Sequence, residues 1–104
     1  MNIKHTSFVV NMRVLLAGLF IVVALLACTS IPVQEMSDAR QAINAARNEG
    51  VSIEASQDYV DALRLIKLAQ QELEEGDYKQ ARINALNAKK KALEARQQAQ
   101  ETRK

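Results

Sequence analysis

From Gln34 to the end of the chain, small and apolar residues recur in alternating steps of three and four, and only Gly50 and Gly76 interrupt them strongly. That period brings one stripe of side chains to a single face of an α-helix and suits helices packed side by side. It predicts three helices, at about Gln34 to Glu49, Ser56 to Glu75 and Tyr78 to Arg103. The first seam is Met36, Ala39, Ile43 and Ala46. The second is Tyr59, Ala62, Ile66, Ala69 and Leu73, and the third is Tyr78, Ala81, Ala85, Ala88, Ala92, Ala95 and Ala99. Ser56 suits a helix N-cap, and Asp77 with Gln80 three residues on has the pattern of a capping box directly after a glycine suited to end a helix.

The fold class is therefore all-α: a small antiparallel three-helix bundle, or a helical hairpin with a long C-terminal helix, after an N-terminal signal helix. Alanine seams permit close approach but bury little apolar area per residue, so modest stability is expected. Leu63, Leu65 and Leu68 widen the apolar face of the second helix, which places that helix at the centre. The third helix, at 1.5 Å per residue, should outrun the second. Its polar end "EARQQAQETRK" then frays, continues alone or awaits a partner.

Ahead of the helical body, Met1 to Arg13 carries Lys4 and Arg13 and no acid, and Val14 to Leu26 is an unbroken run of thirteen apolar or glycine residues. A membrane span needs about 20 apolar residues, whereas a basic start followed by a shorter apolar run is the form of an export signal. The run ends in Leu25-Leu26-Ala27-Cys28, which resembles the lipobox of bacterial lipoproteins. The resemblance implies cleavage before Cys28, a diacylglycerol on its thiol, acylation of the new amine, and recognition of Leu25, Leu26 and Ala27 by the signal peptidase. The covalent lipid would be the only added group, and no other cofactor is expected. The alternative is an ordinary cysteine at the end of an uncleaved anchor. Two or three acyl chains make a durable membrane attachment. Thr29 is not the aspartate that holds enteric-type lipoproteins in the inner membrane, so the implied location is the periplasmic face of the outer membrane.

Residues 1–27 thus read as signal, 28–33 as a tether containing Pro32, and 34–104 as an Ala-rich helical domain. Cleavage leaves 77 residues, one small domain with a thin core. Its charges balance but are segregated. Cys28 to Asp77 holds ten acids and four bases, and Tyr78 to Lys104 holds two acids and eight bases, which favours pairing between helices.

Three further resemblances bear on the body. "EEGDYKQARINALNA" resembles the inter-helix corner of a tetratricopeptide repeat, but one hairpin is too few for a solenoid. The lipobox, the short Pro-containing tether, "EMSDARQAINAARNEG", "AS-x-x-Y-x-x-A" and "EGDYKQAR" together resemble a family of small lipoproteins whose body is known only as a domain of unknown function. Some of its members carry an OmpA-like peptidoglycan-binding domain, and no such domain is expected here. "TRK" has the ending of the major outer-membrane lipoproteins, which implies Lys104 as a covalent attachment point to peptidoglycan. The plain alternative is a solvated terminus.

Arg82, Lys89, Arg96 and Arg103 recur every seven residues beside the third seam. They form either a stripe for lipid phosphates, peptidoglycan carboxylates or an acidic partner, or the flanking charge of a coiled coil that meets the acids of the first two helices. The all-Ala seam of residues 78–103 suits internal packing, a protein partner and self-association alike. Glu72, Glu74, Glu75 and Asp77 crowd one corner without the spacing of a calcium loop, and no metal is expected. The only histidine is His5 and the only cysteine is Cys28, so residues 29–104 have neither imidazole nor thiol. No catalytic residues are expected, and the chain does not read as an enzyme. With two tyrosines as its only aromatics after the signal, it does not read as a nucleic-acid binder. The expected role is a lipid-anchored structural or interaction module, with a membrane-to-wall linker and an accessory subunit of an envelope complex as alternatives.

Overall fold

The computed structural model describes residues 9–21 and 30–103. They fall in two compact units, the first ending at Ser30 and the second beginning at Ile31. The described residues are all-helical or irregular, with no strand among them.

The first unit contains helix α1, residues 9–21, with Val14, Leu15, Leu16, Leu19 and Phe20 exposed. Among the described residues no helix is long and apolar enough to cross a membrane.

The second unit contains α2 (Val33–Asn48), α3 (Gln57–Glu74) and α4 (Tyr78–Thr102). Pro32 stands at the N-cap of α2 with its side chain buried, where its missing N–H costs no helical bond. Both inter-helix corners have the same design. After α2, Gly50 at φ +87° donates to the Arg47 carbonyl and Val51 donates to Ala46. After α3, Gly76 at φ +81° donates to Leu73 and Asp77 donates to Glu72. This is the Schellman ending, whose left-handed residue favours glycine. The next helices start on side-chain caps, with Ser56 Oγ accepting from the Tyr59 amide at 3.1 Å and Asp77 Oδ1 accepting from the Gln80 amide at 3.3 Å.

Contacts between side chains set the helix directions. Arg82 pairs with Glu35 and Arg96 with Glu49, fourteen residues on along both helices, so α4 runs in the same direction as α2. Asn84 bonds Glu72 while Gln98 bonds Asp58, so α4 runs opposite to α3. The apolar core has two clusters. Ala42, Ile43, Ala46, Val51, Tyr59, Ala62, Ala92 and Ala95 form one, and Met36, Ala69 and Ala85 form the other, with Ile66 packed against both.

Two expectations are corrected. The central element is α4, not the second helix: α2 and α3 touch each other far less than either touches α4. A seam of Ala81, Ala85, Ala88, Ala92 and Ala95, essentially without exposure, lets two helices approach α4 closely at once, which a leucine face cannot do. The extra leucines of α3 do not all find a core, and Leu68 remains exposed. The C-terminal overhang of α4 is also not free. The loop of residues 49–56 extends that end of the structure, and Gln98, Gln100 and Arg103 bond to Asp58 and Glu49 there.

Candidate functional site

The heptad of Arg82, Lys89, Arg96 and Arg103 places all four on the flank of α4 that faces α2. Arg82 Nε lies 3.2 Å from Glu35 Oε1, Lys89 Nζ 3.9 Å from Asp38 Oδ2, and Arg96 Nε 2.7 Å from Glu49 Oε1. Arg103 donates to the Glu49 backbone carbonyl. On the opposite flank Lys91 Nζ lies 3.2 Å from both Asp58 and Glu94, and Gln98 donates to Asp58. The charge segregation of the sequence is thus used between α4 and its two neighbours. An exposed surface pair contributes little, but a row of them beside a seam favours one alignment of the helices over others.

Glu49 is the centre of the densest cluster. Its carboxylate accepts from Arg96 and from Gln100 Nε2 at 3.2 and 3.3 Å. These bonds, Arg96 foremost, hold its carboxyl below the ordinary carboxylate range, against a smaller opposing effect of desolvation. A depressed carboxyl stabilises the fold above its unfolded pKa, about 4.3, and that support is lost as pH falls through the lower folded value. The thermal midpoint of Glu49→Gln is therefore expected to lie below that of the natural chain at pH 7 and to converge with it as pH falls through the lowered carboxyl value. A constant offset between the two melting curves across that range would refute the assignment. Lys91 has the opposite sign. Its bonds to Asp58 and then Glu94 raise it above the ordinary lysine value, so its contribution persists until strongly alkaline pH.

Two features were not anticipated from the sequence. Glu72, read there as one of four corner acids, is buried and accepts a hydrogen bond from buried Asn84, while its Oε2 has no partner among the described residues. Its position, three residues after Ala69 of the seam, was the available signal for its side of α3. The second feature is the outer face of α4, where Ile83, Leu86 and Leu93 are exposed. Here too the spacing was visible: 83, 86, 90, 93 and 97 form another alternation of three and four, opposite the alanines.

Two shallow hollows accompany these groups. One of about 400 Å³ lies between α2 and α3 and is lined by Arg40, Ile66, Lys67 and Gln70 among others. One of about 300 Å³ lies where Gly50 and Ser56 meet Ala99 and Arg103. Among the described residues no group of three acids, histidines or cysteines is placed to hold a metal ion. Leu25, Leu26, Ala27, Cys28 and Lys104 lie outside the described residues, as do most of the segment 1–27 and the start of the 28–33 tether.

Fold and geometry together define a small all-α domain built around an alanine-seamed helix and locked by inter-helix ion pairs. The chain belongs to the family described as Domain of unknown function (DUF4398), whose model matches residues 34–104. No curated protein and no solved structure matches it significantly.

Proposed function

We infer that this chain is a non-enzymatic lipoprotein of the bacterial envelope. Cys28 carries the lipid, and residues 34–104 form a small antiparallel three-helix bundle held as an interaction or structural module at the periplasmic face of the outer membrane. The observation that carries the reading is the run of thirteen apolar or glycine residues from Val14 to Leu26, shorter than the about 20 that a bilayer span needs and ending in Leu25-Leu26-Ala27-Cys28. The body adds support, because residues 29–104 hold no histidine or cysteine and the basic groups of α4 on its α2 flank meet acids of the same chain. The mechanism is tethering: the lipid fixes the location, and the bundle presents helical faces to a membrane, a partner or a second copy.

A second reading, in which Lys104 is joined to peptidoglycan, rests on the ending "TRK" after an alanine-seamed helix. Intact mass and fractionation from a Gram-negative host, with and without lysozyme digestion of the wall, separate the two. The tether predicts one outer-membrane species that starts at an acylated Cys28 and has no muropeptide. A species released only by lysozyme, with a muropeptide on Lys104, would replace it with the wall linker. A stoichiometric co-purifying complex would favour an accessory subunit.

A further inference from the structure

Helix α4 is inverted in its use of apolar residues. Its buried seam is alanine with Asn84, while every leucine and isoleucine it has, Ile83, Leu86 and Leu93, is on the solvent side at 42, 48 and 44 % exposure. Their spacing sets them in one line with Lys79, Lys90 and Gln97. These two lysines also differ from the other basic residues of α4 and its C-cap. Arg82, Lys89, Lys91 and Arg96 face carboxylates and Arg103 meets a carbonyl, whereas Lys79 and Lys90 have no carboxylate within ion-pair distance among the described residues.

We propose that this outer stripe of α4, Lys79, Ile83, Leu86, Lys90 and Leu93, is the face by which the domain lies on an anionic lipid surface. The inference rests on the membrane-attached reading above and adds which face turns to the bilayer. Three half-exposed aliphatic side chains fall far short of the about 800 Å² per partner that a stable protein interface buries. A second copy would also bring Lys79 and Lys90 against their own kind. The stripe holds none of the tryptophan, tyrosine or arginine that anchors protein interfaces, and it follows a convex ridge outside both hollows. A lipid surface accepts such a ridge: the aliphatic groups enter the headgroup boundary while the lysines extend to phosphates. Attachment elsewhere in the same chain supplies the high local concentration that makes so small a contact effective.

The test is lysine footprinting by mass spectrometry on the full-length exported protein, mixed with phosphatidylethanolamine vesicles that contain or lack phosphatidylglycerol. Lys79 and Lys90 are expected to react about tenfold more slowly on the anionic vesicles, at low salt, with Lys67 on α3 unchanged. Leu86→Asp, at an exposed site, should abolish the protection without altering the helical signal. Protein that floats with both vesicles while Lys79 and Lys90 react equally would overturn the docking face and leave the anchor standing. Protein without lipid on Cys28 that floats only with anionic vesicles, and is protected there, would support the docking face and overturn the anchor. Protection that is present without vesicles and grows with protein concentration would overturn the proposal in favour of a second copy. Failure to float with either vesicle would overturn both readings.

Discussion

If Cys28 is the lipid anchor proposed above, its replacement by serine is expected to abolish outer-membrane localisation altogether. A hydroxyl does not replace the thiol as the acceptor of a diacylglycerol, and in lipoproteins of the kind this N-terminus resembles, cleavage follows lipidation. The Cys28→Ser chain should therefore keep residues 1–27, lack acyl mass, and disappear from the outer-membrane fraction. The effect is all-or-none because no other group in the mature chain takes over: one or two exposed helical faces give only weak, reversible contact, whereas several acyl chains give a durable one. Intact mass and membrane fractionation of the two chains provide the measurement. If Cys28→Ser appeared in the same fraction with the same mass at its N-terminus, the lipobox reading would be wrong, and the apolar run of residues 14–26 would have to serve as an uncleaved anchor despite its length.

How far the fold was legible follows from what each signal encodes. Gly50, Gly76, Ser56 and Asp77 act locally, through backbone conformation or a bond three residues away, so the helix ends fall within about a residue or two of the sequence expectation. The central helix was less legible. A period of three and four reports which residues share a face, but not whether that face serves one neighbour or two. Leu63, Leu65 and Leu68 argue for α3, while the stronger determinant is the fully buried small seam at Ala85, Ala88 and Ala92 of the helix that packs against both others. The basic row was legible as a row, and its partners only as "acids of the first two helices". The register came from a coincidence of spacing, since Glu35 and Glu49 are as far apart as Arg82 and Arg96. Glu72 and the outer face of α4 were missed for the same reason. Each sits on a helical side that becomes inside or outside only once the neighbouring helices are placed.

The alanine seam itself carries the second large effect, in Ala88→Leu. Ala88 has no exposure on a helix packed against two others, so three added carbon atoms must push α4 away from its neighbours or force strained rotamers. Overpacking of this kind costs about 1–3 kcal/mol, occasionally more. A domain of about 70 residues has roughly 4–10 kcal/mol of stability in all, so the loss is a large fraction of it. The urea midpoint of Ala88→Leu is expected to fall by about 1–3 M at an unchanged slope of about 1 kcal/mol per M. Leu86→Ala, two residues away on the exposed stripe, should stay within about 0.5 kcal/mol of the natural chain. The comparison separates two accounts of why this helix is built from alanine. If the seam were a loosely filled gap, leucine at position 88 would bury more apolar surface and raise the midpoint. If alanine is there because three backbones converge on it, the same leucine lowers the midpoint while the outer substitution leaves it in place. A rise for Ala88→Leu would also remove the reason for α4 to be the central helix, because close approach to both α2 and α3 is what a small side chain at this position permits and a large one does not.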